Sequence, residues 1–263
     1  MAGKTKATIE DLYQDDYERN RRRKDLVVHA VVTPERIRNA RALQHLKEGF
    51  NRRVLMLDAG LHFIDETVSL QGGEPLSWYV ATDLAIHLNA FYLNLCGALD
   101  NLAWALQYEH QLFPGVGETS PKRQRVNLFN NKFLDALEAV AATVATGIRH
   151  HLQWNSDLRD LRDPAAHRIP IYAVPAVVTG QQRNEFQHLQ KNAADLFTAG
   201  DLHGGWGLVH QSTRIGAYQP LMVLSHETGL ESRDIRIQVQ DDEQHFVEVA
   251  EAVLRHLFAP PPA

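Results

Sequence analysis

Apolar residues recur at spacings of three and four positions in three long runs, and this periodicity constrains the fold more than any other feature of the chain. The runs cover residues 37–68, 84–106 and 134–152. Such a spacing places the apolar side chains on one face of an α-helix. Long helices with one apolar face must pack against one another, so the pattern predicts a helical bundle.

The ends of these helices carry typical boundary residues. Thr33-Pro34-Glu35 combines an N-cap hydroxyl, a proline at the first helical position and an acid in the first turn, which indicates a helix start. Gly72-Gly73 ends the first helix, and the segment "FPGVG" at 113–117 ends the second. We expect the third helix to begin after Asn130-Asn131 and to reach Asp163-Pro164, where the proline should break and kink it.

The sequence after residue 167 no longer shows a long helical periodicity. Prolines exclude "IPIYAVPAVV" from a helix interior and favour an extended segment, whereas "EFQHLQKNAADLF" is compatible with a short helix. The segments "GGWGLVHQ", "YQPLMVLSH" and "DIRIQVQ" resemble strands, the last because Ile235, Ile237 and Val239 alternate with polar residues. A final helix is expected from Asp241 onwards, as the fourth helix of the bundle.

The predicted fold is therefore mainly α, a four-helix-type bundle with a small mixed α/β insertion between the third and last helices. We expect a polar N-terminal arm over residues 1–30, the bundle over 31–167, the insertion over 168–240, the last bundle helix over 241–258 and a tail over 259–263. The centre of the arm, "ERNRRRKD", is either a solvated tail or a basic segment that helps to hold a polyanion.

Composition limits the function classes. The 263 residues are 44% hydrophobic and 22% charged, as in ordinary globular proteins. A formal net charge of −5 argues against a protein that coats nucleic acid non-specifically, because such binding needs many Lys and Arg contacts with phosphates. The single cysteine, Cys96, excludes a disulfide framework, and we find neither a membrane-length apolar run nor a signal peptide. We expect a cytoplasmic protein with no membrane association.

The segment "DLRDLRDPAAHRIPIY" at 157–172 interrupts the apolar pattern. With about 100° of rotation per residue, Asn155, Arg159 and Arg162 continue the helical face on which Ile148 and Leu152 lie. Two interpretations remain open. The helix leaves the core here and its arginines extend to solvent, or the residues line a cleft in which arginine meets a carboxylate or a phosphate.

The order Arg162-Asp163-x-x-x-His167 resembles the Arg-polar-x-x-x-His motif of the HEPN superfamily, the higher eukaryotes and prokaryotes nucleotide-binding domains. The resemblance covers the predicted bundle, about residues 33–167 and 241–258. A second match, from Arg183 to His188, lies in the insertion, so its position favours the first match. The resemblance implies a helical bundle that often dimerises with two motifs facing each other, and active members are metal-independent endoribonucleases.

If RNA is the substrate, the resemblance gives each residue of the motif a role. His167 would act as general acid or base, because imidazole titrates near neutral pH. Arg162 would stabilise the charge that develops on the phosphoryl oxygens. Asp163 would orient the histidine or cap a helix. The other expected substrate contacts are Asn155, Arg159 and Arg168.

The resemblance also predicts partners and cofactors. It implies a homodimer, RNA as a ligand, and a protein antitoxin or another protein as a further partner. It calls for no cofactor and no metal ion. The alternative is a non-catalytic bundle that binds a protein or a small ligand, in which Arg162 and Asp163 form a structural ion pair and a helix cap.

Two further polar patterns lie on the first two helices. Asp58, His62 and Glu66 stand four positions apart, as metal ligands on one helical face would, and surface pairing is the other explanation of that spacing. His87, Asn94 and Asn101 recur at intervals of seven. This polar line either is a flank exposed to solvent or in contact with another helix, or it lines the cleft.

Overall fold

The structure, a computed structural model, describes residues 17–27, 34–70, 72–167, 169–226 and 229–259, without the side chains of residues 164–167 and 225–226. The described part is mainly α-helical and contains one small antiparallel sheet, which confirms the predicted fold class. Among the described residues, no helix is both long and apolar enough to cross a membrane.

The helices and strands follow one another in a simple order. Residues 17–27 form α1. The later helices are α2 (Ala40–Gln44), a π-helical stretch (His45–Phe50), α3 (Asn51–Val68), α4 (Trp78–His110), α5 (Asn131–Arg149), α6 (Leu152–His167), α7 (Gly180–Thr198), α8 (Leu202–Ser212) and α9 (Ile235–Leu257). The sheet contains β1 (Tyr172–Ala173), β2 (Leu221–His226) and β3 (Gly229–Asp234) in that order.

One compact unit comprises the described residues within 1–59, 91–162 and 240–263. Its core is built from the predicted apolar stripes, and the rings of Phe50 and Phe246 stack with their centroids 6.3 Å apart. Helix α1 also belongs to this unit, because Leu26 is buried and Arg22 forms an ion pair with Glu251 on α9. The remainder of the predicted arm, residues 1–16 and 28–30, lies outside the described residues.

A second compact unit comprises residues 60–90 and 163–239. Strands β2 and β3 pair in antiparallel register, with Met222 opposite Arg233. Asn89 on α4 holds the segment before β1, because its side chain donates to the carbonyl of Ile171 and accepts from the backbone N–H of the same residue. Helices α7 and α8 pack together, with Phe197 and Trp206 in edge-to-face contact.

The predicted third helix is wrong at two points. It is interrupted at His150 and His151, which separate α5 from α6, and α6 then continues through Asp163-Pro164 as far as His167. In α6, Trp154 and Leu158 are buried, while Arg159 is exposed.

Two of the three predicted strands are also wrong. The segment "GGWGLVHQ" lies in α8, where the Asp201 side chain accepts from the backbone N–H of Gly204 and caps the helix. "DIRIQVQ" lies mostly in α9, which begins at Ile235 rather than Asp241. Ile235 and Val239 are buried four positions apart, whereas Ile237 is 70% exposed. Ile235 and Val239 therefore lie on the buried face of a helix, and Ile237 lies on its exposed face.

Candidate functional site

Helix α6 carries the predicted Arg-Asp-x-x-x-His motif. Arg162, Asp163 and Asn155 are half-buried, and Arg159 is exposed. His167 is the last residue of α6, but its side chain lies outside the described residues, as does the whole of Arg168. The structure therefore describes the surroundings of Arg162 and leaves those of His167 undescribed.

Arg162 lies near a carboxylate on α4. The guanidinium groups of Arg162 and Arg53, which come from α6 and α3, both act electrostatically on Asp100. Asp100 retains an exposed surface, yet desolvation of its carboxyl group raises the pKa, and the two arginines only partly oppose this rise. Two guanidinium groups from separate helices thus lie within electrostatic range of one carboxyl group.

Arg53 is held in place by α4. Its guanidinium donates to the side-chain oxygen of Asn94 over 3.3 Å. Gly97, one turn further along α4, lies under the guanidinium, because a Cβ atom at this position would collide with it. The close approach of α3 and α4 therefore fixes the orientation of Arg53.

The polar line on α4 flanks contacts between helices. Asn94 contacts Arg53, Asn101 lies 3.1 Å from the Nδ1 atom of His45, and the ring of His87 stacks on Phe63 with centroids 4.4 Å apart. This outcome matches the first of the two explanations offered for the spacing.

Asp58, His62 and Glu66 do not form a metal site. Asp58 accepts from the guanidinium of Arg23 over 2.7 and 2.9 Å. His62 lies 3.3 Å from Glu66 in an exposed pair one helical turn apart. Only His62 and Glu66 therefore pair at the surface, whereas Asp58 pairs with a buried arginine.

The structure brings together a cluster that the sequence did not reveal. His151, at the break between α5 and α6, lies with its Nδ1 atom 2.9 Å from the Nδ1 atom of His245 on α9. Glu248 lies one turn after His245, with Oε2 at 3.8 Å from Nε2 of His151. Burial lowers the pKa of His151, and His245 lowers it further, so the neutral imidazole is favoured.

A tryptophan and a buried aspartate support this cluster. The indole ring of Trp154 stacks on His245 with centroids 5.3 Å apart, and its N–H donates to Asp242 over 2.8 Å. Asp242 also accepts from the hydroxyl of Tyr92 over 3.1 Å. These contacts hold α4, α6 and α9 together around the cluster.

The sequence contains only weak signs of this cluster. His245 and Glu248 are three positions apart, which places them on one helical face, but His151 is separated from them by 94 residues in the chain. Only the fold brings α6 and α9 together. The one clue in the sequence was that Trp154 follows three positions after His151.

Comparisons with protein-family models, curated proteins and solved structures return no match for this chain. The interpretation of both groups of residues therefore rests on their own chemistry and on the motif.

Proposed function

We propose that this chain is a HEPN-like RNA-binding protein that acts as a metal-independent endoribonuclease, with Arg162 and His167 as its catalytic residues. The observation that carries the proposal is that Arg162 and Arg53, from separate helices, both lie within electrostatic range of Asp100. A guanidinium group offers parallel N–H donors that match phosphate oxygens, and two such groups from different helices suit an RNA phosphodiester. The mainly α-helical fold also agrees with the resemblance.

The proposed chemistry assigns one role to each residue. Arg162, assisted by Arg53, binds the phosphoryl oxygens and stabilises the negative charge that develops on them. His167 takes the proton from the 2′-hydroxyl or gives one to the leaving oxygen. Arg159, which is exposed on α6, contacts the RNA backbone. We further propose that the protein acts as a homodimer, which size-exclusion chromatography with light scattering measures directly.

The test is cleavage of labelled RNA in the presence of a chelator. We expect Arg162→Ala and His167→Ala each to abolish cleavage, while the wild type cleaves. The matched control is the second Arg-x4-His pair, on α7, where both side chains are exposed. Arg183→Ala and His188→Ala should retain wild-type activity. Full cleavage by His167→Ala would refute the enzymatic part of the proposal.

RNA affinity tests the binding part separately. Arg162→Ala should weaken binding and reduce the slope of log K against log salt by about one unit, because one phosphate contact is lost. Asp100→Asn should strengthen binding, because it removes a negative charge beside two arginines. An Arg162→Ala variant with unchanged affinity and salt slope would contradict the proposal.

The second candidate is a non-catalytic scaffold, and the electrostatic contact between Arg162 and Asp100 is the observation that favours it. If that contact is a structural ion pair, Asp100→Asn and Arg162→Ala should both destabilise the fold and leave RNA binding unaffected. Under the RNA proposal, Asp100→Asn should not lower stability at neutral pH, because desolvation already disfavours the ionised carboxylate in the fold. Denaturant unfolding at pH 7 separates the two.

A further inference from the structure

Among the described residues, His151, His245 and Glu248 are the one group of three whose ligand atoms lie close enough together to hold a metal ion, all within 4.8 Å of one another. We propose that these three side chains bind a divalent transition-metal ion, with Zn²⁺ as the best match. Two imidazoles and one carboxylate are a common zinc-binding set. The site uses none of the residues of the RNA motif, so it goes beyond the proposed function.

The distances between the side chains fit one shared ion. The Nδ1 atoms of His151 and His245 are 2.9 Å apart. Two nitrogens bound to a tetrahedral zinc ion at 2.0–2.1 Å each would stand about 3.3 Å apart. The imidazoles therefore need to separate by only a few tenths of an ångström. Glu248 lies on the same helix as His245, and its Oε2 atom is 3.8 Å from the Nε2 atom of His151, so its side chain must turn towards the two Nδ1 atoms to share the ion.

Glu248 accepts a hydrogen bond that orients it, and His245 has a carboxylate nearby. Gln244 donates to Oε1 of Glu248 over 3.0 Å, which leaves Oε2 directed at the cluster. The Nε2 atom of His245 lies 3.9 Å from Asp241, while its Nδ1 atom faces His151. Metal-bound histidines usually present their second nitrogen to such a carboxylate. Trp154 stacks on the His245 ring and restricts its rotation.

The site is accessible from solvent. The side chains of His245 and Glu248 are 33% and 37% exposed. Three protein ligands leave a further coordination position for water. The positive charge of Arg22 near Glu248 opposes cation binding. The bound ion would link the start of α6 to the middle of α9 and thereby stabilise the unit that contains both segments.

The test is zinc titration of the full chain without an affinity tag, after treatment with a chelator and its removal. Calorimetry should detect one equivalent of Zn²⁺ bound with micromolar or tighter affinity. His245→Gln and Glu248→Gln should each weaken binding at least tenfold. His150→Gln is the matched control, because this exposed histidine is adjacent to His151 but outside the cluster, and it should bind Zn²⁺ as the wild type does.

A second variant and a spectrum distinguish the loss of a metal ligand from misfolding. Gln244 is exposed and should not be needed for folding, and Gln244→Ala should weaken zinc binding about tenfold because the carboxylate loses its support. X-ray absorption should show two imidazoles and one carboxylate around the ion. No zinc binding by the wild type, or unchanged binding by a His245→Gln protein with wild-type circular dichroism, overturns the inference.

The outcome is independent of the RNA proposal. RNA cleavage that persists in the metal-free protein, together with zinc binding that depends on His245, supports both. Loss of zinc binding in His245→Gln with cleavage intact supports the metal site as separate from the motif. Cleavage that fails in every condition refutes only the nuclease.

Discussion

Arg23 is 7% exposed, although arginine is rarely buried unless it is paired. Its guanidinium donates to Asp58 on α3 and to Glu243 on α9, and Glu243 is itself 5% exposed. Removing one partner from such a group leaves a buried charge without compensation, which costs far more than losing a surface pair. The ion pairs of Arg23 therefore attach α1 to α3 and α9.

We predict that Arg23→Met destabilises the protein by about 3 kcal/mol. Methionine keeps most of the aliphatic packing, so the loss comes from the stranded Glu243 carboxylate. Arg19 lies 3.8 Å from Glu243 and compensates part of that charge, which places the effect at the lower end of the usual range. Urea unfolding at pH 7 measures the change.

Arg21→Met is the matched control on the same helix. Arg21 forms an exposed pair with Glu18 one turn earlier, and such pairs contribute at most about 0.5 kcal/mol. Equal destabilisation by the two substitutions would show that the buried ion pairs are not what holds α1.

At the scale of helices and strands, the packing of α7 on α8 depends on one glycine. Gly205 is buried, and a Cβ atom there would collide with the ring of Phe197 on α7. Gly207, in the same helix, is exposed and has open space where a Cβ atom would lie. The two positions therefore separate the packing role of glycine from its low helix propensity.

We predict opposite effects of alanine at these two positions. Gly205→Ala should destabilise the protein by about 1–3 kcal/mol, because α7 and α8 must move apart. Gly207→Ala should stabilise it by about 0.5–1 kcal/mol, because alanine favours the helix. Denaturant midpoints give both values. Stabilisation by both substitutions would mean that α7 and α8 accommodate the additional Cβ atom without a loss of stability.

The sequence predicted the long helices better than it predicted the short segments between them. The stripes over residues 37–68 and 84–106 reveal α3 and α4, because many apolar positions repeat the same period. Short segments carry too few positions to distinguish the periods, and Ile235 and Val239 fit both a strand and a helix. The caps at Asp201 and Asp234 mark the true helix starts, since each side chain accepts a backbone N–H three residues on.

The candidate sites show the same limit. Arg162 was identified because its motif is contiguous in the chain, whereas the neighbouring Arg53 and Asp100 come from other helices. His151 and His245 are 94 residues apart, which is not a spacing typical of metal ligands. Long-range contacts of this kind depend on how the helices pack, which local periodicity does not specify.

For the whole molecule, a pair of histidines predicts how stability depends on pH. His110 ends α4 and His256 lies near the end of α9, with their Nε2 atoms 3.0 Å apart. Burial lowers the pKa of both imidazoles below the ordinary value of 6.5, and His256 lowers that of His110 further, while Glu109 opposes this. The folded protein therefore resists protonating two groups that the unfolded chain protonates readily.

A lowered pKa in the fold gives stability that is present above pH 6.5 and is lost as the pH falls through the folded pKa values. Unfolding free energies measured with a chelator between pH 8 and pH 5 should be level at first and then decline. Each histidine adds at most about 1.4 kcal/mol per pH unit to the slope.

His256→Gln should make the decline shallower, because one such group is removed and His110 loses its repelling neighbour. The curves of the two proteins should run parallel above pH 7. An equally steep acid decline in His256→Gln would show that this pair does not govern the pH dependence.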